Sequence, residues 1–444
     1  MNGVHHLTTR TVMPLKTGLT LKSRPLWVHR ALFIAVWLSG CASTPTPLTL
    51  PSVSLQDPAF RTSLEAFAGA PIVGDNHVDI LLNGEQTFPA LLEAIRSARV
   101  TVTFEAYIFH EGKVADEIVK AFVDRCRAGV RVSVLLDAHG ADGLPERYNE
   151  ALRTAGCAIV PDFRPLRLWS LERTNKRNHR RIIVVDGRVG FTGGYGVDDT
   201  WNGDGRTDGH WRETNVRLEG PIVQSLQEAF VEHWREATGA LLGGKDYFPY
   251  PPVEIKDLPV RAQVVRSSPL AGNEAMYRVF LQAISSARRS ILISTPYLLP
   301  GEQLTSALLK ASQRGVRVRV LIPSVERGSG VEFVTQASQR DAFGPLLDGG
   351  IQLHEYAPAL LHTKMMIIDG TWATVGSANF DNRSMAMNDE LNVMFYDQTI
   401  AKRLEEIFVE DISHSHKLTR EHLEHRAWLH RALSVLLSPF HAWF

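Results

Sequence analysis

Cysteine is nearly absent from the 444 residues: Cys41, Cys126 and Cys157 are the only three. So few, so widely spaced, exclude a disulfide framework and a cysteine zinc site. No apolar run reaches 18 residues, so no segment reads as a membrane-spanning helix. Excess charge of either sign is missing as well, with 48 basic and 48 acidic residues. That balance disfavours a protein that wraps nucleic acid over a basic surface. Glycine (33) and proline (23) are too few for a disordered or fibrous chain, and 44% hydrophobic residues read as globular.

The even balance hides a lopsided start. Residues 1–40 carry five basic side chains (Arg10, Lys16, Lys22, Arg24, Arg30) and no acidic one. The rest holds 43 basic and 48 acidic residues, a net charge of −5. The basic stretch leads into an eight-residue apolar run, Ala31–Leu38, and then Ser39-Gly40-Cys41. A basic region, a short apolar core and small residues at the cut are a secretory signal. Leu38-Ser39-Gly40-Cys41 resembles the lipobox of bacterial lipoproteins, which implies that Cys41 becomes a lipidated first residue. Ala42 does not resemble an inner-membrane retention signal. Residues 41–69, opening with Ser-Thr-Pro-Thr-Pro, read as an extended tether.

The remainder repeats itself. Ala94-Ile-Arg-Ser-Ala-Arg99 returns as Ala283-Ile-Ser-Ser-Ala-Arg288, and Gly129-Val-Arg-Val132 as Gly315-Val-Arg-Val318. His179 with Asp186-Gly187 returns as His362 with Asp369-Gly370, and Glu213-Thr-Asn-Val216 as Glu390-Leu-Asn-Val393. The offset drifts in order from 189 through 186 and 183 to 177, as loop insertions would make it drift. This is a tandem duplication of one α/β unit. Each copy runs helix (Phe88–Ala98; Tyr277–Ala287), apolar strand to Tyr107 or Tyr297, helix (Val114–Arg127; Leu304–Gln313), then a buried strand (Val130–Leu136; Val316–Ile322). Expected boundaries are 70–245 for the first half, a proline-rich linker at 246–260, 261–410 for the second half, and an amphipathic tail at 411–444.

The chemistry sits at His179-Arg180-Arg181 and His362-Thr363-Lys364, each followed by an apolar run, Asp-Gly and then a pair of small residues, Gly193-Gly194 or Gly376-Ser377. Side chains alternate along a strand, so His179 and Arg181 share a face, as do His362 and Lys364. Asp186-Gly187 and Asp369-Gly370 read as two-residue hairpin turns. That register sets Gly194 opposite His179 and Ser377 opposite His362, where small residues admit a phosphate to the backbone. Seven residues of strand, roughly 20 Å, separate each histidine from its motif aspartate. Asp186 and Asp369 therefore suit a turn or ion pair better than contact with the imidazole. Glu213 and Glu390 are the candidates to orient the two rings and fix their tautomers.

Two histidines, each with a cation and a carboxylate, suit phosphoryl transfer with no metal or cofactor in the design. One imidazole attacks phosphorus and the other protonates the leaving alcohol. Arg181 and Lys364 neutralise the non-bridging oxygens.

At these residues the sequence resembles the phospholipase D superfamily, with its paired His-x-Lys-x4-Asp motifs, and within it the bacterial cardiolipin synthases. Phe163-Arg-Pro-Leu166, Arg217-Leu-Glu-Gly-Pro221, Ser294-Thr-Pro-Tyr-Leu298 and Thr374-Val-Gly-Ser-Ala-Asn379 carry the narrower likeness. The resemblance implies two α/β/α sandwich units packed pseudo-symmetrically around one interfacial site. His179 would be the nucleophile, His362 the acid and base, and Asp186, Asp369 and Asn379 members of the motif set. It implies phosphatidylglycerol and a second phospholipid or alcohol as substrates. The lipobox likeness implies residence at the extracytoplasmic side of a bacterial envelope, with the periplasmic face and the outer membrane both open. Three positions depart from the pattern: Arg181 replaces lysine, Gly196 replaces asparagine, and Glu213 replaces aspartate. Hydrolysis by a phospholipase D or nuclease is an alternative, as is a non-catalytic lipoprotein that binds phospholipid headgroups.

Trp201-Asn-Gly-Asp-Gly-Arg206, absent from the second half, is expected to edge the cleft. The tail's histidines (His414, His416, His422, His425, His430, His441) read as a solvated helix rather than a metal site. The apolar face of Trp428 to Leu437 suits either a bilayer interface or packing back on the protein. Cys126 and Cys157 could pair outside the cytoplasm, though their spacing does not decide it.

Overall fold

Aliphatic runs such as Ile182–Val185 and Met365–Ile368 are buried at every position, which only a strand covered on both faces allows. The computed structural model describes residues 48–424 apart from 49, 52, 166–175, 251–259 and 328–338. The signal and lipidation site at Cys41, and tail residues 425–444 with Trp428–Leu437, lie outside the described residues.

In chain order the first half comprises α1 (Pro58–Ala68), β1 (Val73–Leu82), α2 (Asn83–Ser97), β2 (Thr101–Ala106), α3 (Lys113–Arg127), β3 (Arg131–Asp137), α4 (Glu146–Thr154), β4 (Ala158–Phe163), β5 (Ile182–Val185), β6 (Val189–Gly193), β7 (Thr214–Glu219) and α5 (Ile222–Thr238). The second half follows with β8 (Val260–Ser267), α6 (Ala275–Ser286), β9 (Ser290–Ser294), β10 (Leu298–Leu299), α7 (Glu302–Gln313), β11 (Arg317–Pro323), α8 (Phe343–Asp348) and β12 (Gln352–Tyr356). It closes with β13 (Met365–Ile368), β14 (Trp372–Gly376), β15 (Phe380–Asp381), α9 (Asn382–Ala386), β16 (Glu390–Phe395), α10 (Gln398–Ser413), β17 (Ser415–Lys417) and α11 (Arg420–Glu424).

Fifteen strands form one sheet in the order β17-β12-β11-β9-β13-β14-β16-β8-β1-β7-β6-β5-β2-β3-β4. Apart from the edge strand β17, the order reads the same outward from the β8–β1 junction in both directions, each strand matched by its repeat. There the two strands run antiparallel, with Val73 beside Ala262 and Asn76 beside Val260. One apolar cluster belongs to each half's outer layer; a third joins them. That third cluster takes Phe230 and Trp234 from α5, Leu404 and Phe408 from α10, and strand residues of both halves. A Phe or Leu truncated there costs about 2–5 kcal/mol, so the halves are fixed together rather than hinged.

Several expected boundaries move. The tether at 41–69 gives way to α1, whose Phe60 and Leu64 are buried in the second half's outer cluster. Asp57 caps that helix by accepting the Ala59 N–H at 2.9 Å. The linker at 246–260 starts inside the first half, where Tyr247 is buried, and ends inside β8. The tail from 411 is structured through α11: Asp411 is buried on α10 and β17 pairs with β12. His414, His416 and His422 are exposed.

The hairpin register is off by one in both halves. Val185 pairs with Val189 and Ile368 with Trp372, so three residues, not two, make each turn. The turn bonds close from Arg188 N–H to Val185 O and from Thr371 N–H to Ile368 O, leaving Arg188 and Thr371 as inserted residues. The same count carried past the strand ends sets Tyr195 and Ala378, not Gly194 and Ser377, across from the histidines. Asp186 and Asp369 hold the left-handed turn position at φ 53°. The Asp186 carboxylate accepts N–H bonds from Arg99, Val100 and Thr101 at 2.8–3.2 Å. Asp369 takes those of Arg288, Arg289 and Ser290 at 2.7–2.9 Å. Each clamps the start of the neighbouring strand and stands away from the imidazole.

Candidate active site

Each histidine precedes its strand by a few residues, and the chain there pairs with the other half. His179 N–H donates to Asp389 O at 2.9 Å, and Asp389 N–H to Arg177 O. The repeat is faithful: His362 N–H donates to Arg212 O at 2.8 Å, and Arg212 N–H to Leu360 O. Two short parallel bridges, Asn178 with Asp389 and Arg212 with Leu361, thus cross the interface. They carry Glu390 to His179 and Glu213 to His362.

The orienting carboxylates are exchanged between halves. Glu213 Oε2 lies 2.6 Å from His362 Nδ1, and Glu390 Oε1 lies 3.2 Å from His179 Nδ1. Both glutamates are wholly buried, and the two imidazoles keep 11% and 13% of their side-chain surface exposed. With Nδ1–H aimed at the carboxylate, each ring presents the Nε2 lone pair. Asn388 Nδ2 lies 3.3 Å from both His179 Nδ1 and Glu390 Oε1.

Lys364 folds back on its own histidine, with Nζ 2.6 Å from His362 O, 2.9 Å from Nε2 and 4.0 Å from Glu213 Oε2. Burial is the chief reason that Lys364 is pressed down to about 7 and His362 to about 3, the lysine's charge adding to the latter against the pull of Glu213. Burial lowers His179 too, with Glu390 opposing it. Arg181 is buried, donates to the carbonyls of Tyr195 (3.3 Å) and His179, and lies 5.6 Å from the Tyr107 ring centroid. Arg181 and Lys364 thus face the carboxylates Glu213 and Glu390.

The small residues serve the glutamates. A Cβ on Gly194 would stand 2.6 Å from Glu213 Oε2, so glycine is required for that carboxylate to fit. Ser377 Oγ donates to Glu390 Oε2 at 2.5 Å. The asparagine of the repeated Glu-x-Asn-Val string anchors the same turns: Asn215 Oδ1 accepts from Gly194 and Tyr195 N–H, and Asn392 Oδ1 from Ala378 N–H. Asn379 N–H donates to Ser384 Oγ, while its Oδ1 is buried without a partner.

Sequence reasoning missed the aromatic walls and Asn388. Tyr107 packs on His179 at 4.3 Å, and Trp201 and Trp211 on His362 at 5.1 and 5.2 Å. Trp201 Nε1 also donates to Glu213 Oε2 at 3.4 Å, so the expected edge insertion reaches the carboxylate itself. This explains Gly196. A Cβ there would lie 2.9 Å from Ile108 Cβ and from the Trp201 ring, so the indole fills the space an asparagine would need. A tryptophan in an insertion peculiar to one half was the available signal.

Comparison with known proteins places the chain in a family. A family profile described as "Cardiolipin synthase, PLD-like domain" matches residues 91–234 and 280–412, one segment per half. A cardiolipin synthase of Geobacillus kaustophilus is 33% identical over 402 residues, covering 89% of this chain and 79% of that protein. Cardiolipin synthase A of Pseudomonas putida is 36% identical over 377 residues, covering 83% and 76%. The crystal structure of a phosphatidylserine synthase from Haemophilus influenzae superposes with a TM-score of 0.61, covering 86% of this chain and 97% of that one. At 13% identity that likeness is one of fold. By its two matched segments and these relatives, the chain belongs to the cardiolipin synthase family of phospholipase D-like proteins.

Proposed function

We propose that the protein is a phosphatidyltransferase that joins the phosphatidyl group of one phospholipid, phosphatidylglycerol, to an alcohol of another through a phosphohistidine. The crossed pairs Glu390–His179 and Glu213–His362 carry this reading. Both imidazoles are largely enclosed, each Nδ1 faces a buried carboxylate, and Arg181 and Lys364 stand beside them. A phosphodiester brings one negative charge to the site, which favours taking up one proton. A bound anion also counters the burial and the Lys364 charge that hold His362 down, and so raises its affinity for a proton.

His179 Nε2 then attacks phosphorus, the bond to the departing glycerol oxygen breaks, and that oxygen takes the His362 proton. In the second half-reaction the acceptor hydroxyl gives its proton to His362 and attacks phosphorus, and the N–P bond breaks. Arg181 and Lys364 hold the non-bridging oxygens. The test is purified protein in phosphatidylglycerol vesicles, with products read by mass spectrometry. Cardiolipin and glycerol should appear, and should vanish in His179→Ala. Phosphatidic acid as the sole product would make it a hydrolase, and no trapped phosphohistidine would make it a binder.

We further propose lipidation at Cys41 and residence at the extracytoplasmic face of the envelope. Cys126 and Cys157 form a disulfide with Cα atoms 5.6 Å apart, which suits an oxidising compartment. Among the described residues no helix is long and apolar enough to cross a membrane. Radiolabelled fatty acid should enter the protein and be lost in Cys41→Ala.

A further inference from the structure

The residue before each glutamate also crosses the interface, and here the two copies differ. Arg212 grips Asp411 of α10 with two bonds, Nε to Oδ1 at 2.9 Å and NH2 to Oδ2 at 2.8 Å. Asp389, its repeat at an offset of 177, reaches His233 of α5, whose Nε2 lies 3.2 Å from Asp389 Oδ2. His233 and Asp411 are themselves equivalent at an offset of 178. The duplicated pair is thus preserved with its signs exchanged. Strand cation and helix anion in one copy become strand anion and helix histidine in the other. Arginine keeps its charge at any physiological pH; histidine does not.

His233 is 1% exposed and sits between two carboxylates, with Nδ1 2.6 Å from Glu105 Oε1 on β2. The Nδ1 contact is a hydrogen bond and the Nε2 contact an ion-pair approach without hydrogen-bond geometry; with a carboxylate at each nitrogen, the two anions favour the charged ring. The charged groups around it are Glu105 of β2, Asp389 ahead of β16, Glu232 and Glu236 of its own helix, and the cations Arg164, Lys176 and Arg180. Arg164 pairs with Glu236 and Asp389, Lys176 with Asp389 at 3.0 Å, and Arg180 with Glu232 at 3.1 Å. Burial and Arg180 push the imidazole down; Glu105 and Asp389 outweigh them, and it ends above the ordinary histidine value.

Both arms lead to the nucleophile. Glu105 Oε1 also accepts from Asn178 Nδ2 at 2.8 Å, beside His179. Asp389 precedes Glu390, and its carbonyl holds the His179 N–H. We propose that His233 is a positioning residue: bridging Glu105 and Asp389 as a cation, it fixes the Asn178–His179 and Asp389–Glu390 peptides, so that Glu390 meets His179 Nδ1. Its loss of a proton at alkaline pH removes one tie from each peptide, while Arg164 and Lys176 still hold Asp389, and slows formation of the phosphohistidine. The inference rests on His179 being the nucleophile.

The experiment measures kcat and KM against pH on phosphatidylglycerol vesicles, with trapped phosphohistidine, for the wild type, His233→Gln, Glu105→Gln and His179→Ala. His233→Gln should lower kcat roughly 10- to 100-fold at near-constant KM, as loss of a partner that orients a working side chain does, and should erase the alkaline limb. Glu105→Gln keeps the histidine but removes one of its two anions, so the limb should move to lower pH. A Glu105→Gln profile matching the wild type overturns the proposal, whether or not His233→Gln folds. So does a folded His233→Gln with wild-type kcat. Turnover surviving in His179→Ala would instead refute the nucleophile assignment.

Discussion

Crossed glutamates make a prediction that separates the roles of the two histidines. Replacing Glu213 or Glu390 by glutamine keeps the shape and a hydrogen-bond acceptor but removes the charge that stabilises an imidazolium. The Glu213 oxygen is 2.6 Å from His362 Nδ1, which puts the charge centres roughly 4 Å apart. At an effective dielectric of about 20 that interaction is worth about 4 kcal/mol, or some three orders of magnitude in rate, an upper limit because glutamine still accepts a bond. Two to three orders are therefore expected for either variant on phosphatidylglycerol. An activated aryl phosphodiester, whose leaving group departs without a proton, distinguishes them. His362 is not needed as an acid for that substrate, so Glu213→Gln should recover most of its burst of aryl alcohol. Glu390→Gln serves the attacking ring in the first half, and its burst should stay slow with either substrate. Rapid-quench measurement of the burst reads this directly. Recovery in Glu390→Gln rather than Glu213→Gln would exchange the two histidines' roles, and equal behaviour would refute the division of labour.

Lys364 titrates at about 7 in the free site because burial strips its solvation, and a bound anion would raise it. Binding of an anionic, non-hydrolysable phosphonate monoester should then take up a proton above pH 7, so affinity falls as pH rises; calorimetry in buffers of different ionisation enthalpy reads the uptake, and pH-independent affinity would refute it. Gly196→Asn, which restores the family residue, should cost about 1–3 kcal/mol by overpacking against Trp201. The added Trp201→Ala change should return part of that loss in a thermal melt. Asp186→Asn and Asp369→Asn keep a residue tolerant of positive φ while removing a carboxylate that accepts three N–H bonds. Each should lose about 1–3 kcal/mol of stability and leave kcat within a fewfold range; a collapse of kcat in a stable variant would put the aspartate back in the chemistry.

Order in the repeat made the two halves legible, because a drifting offset survives insertion while hydrophobic periodicity keeps naming the same elements. The histidines, their cations and the glutamates were legible from spacing. Which glutamate serves which histidine was not, since periodicity within a half says nothing about a partner in the other. The hairpin register failed for a local reason: Asp-Gly marks the turn, but the inserted Arg188 and Thr371 leave no mark of their own. Segment 58–68 read as tether because Ser-Thr-Pro repeats precede it, although Asp57-Pro58 is a helix start and Phe60 and Leu64 share a face. Gly196 looked like a defect beside the family pattern and proves to be the space Trp201 occupies.

The substitution of arginine for lysine in the first motif alone follows from the asymmetry between the copies. His362 must alternate between neutral and charged during turnover. Its companion Lys364, lying 2.9 Å from Nε2, can yield or keep its own proton near neutrality and so follows the change at little electrostatic cost. A fixed cation in that place would oppose every protonation of the ring. His179 has the opposite task. Its Nε2 must remain unprotonated to attack, and a permanent charge at Arg181, seated on backbone carbonyls and the Tyr107 face, helps to keep it so. Arginine is therefore admissible on the nucleophile's side and lysine is required on the acid's. The His233–Asp389 and Arg212–Asp411 pairs invert the same logic one residue further back: the titratable member lies behind the nucleophile, the permanent one behind the acid.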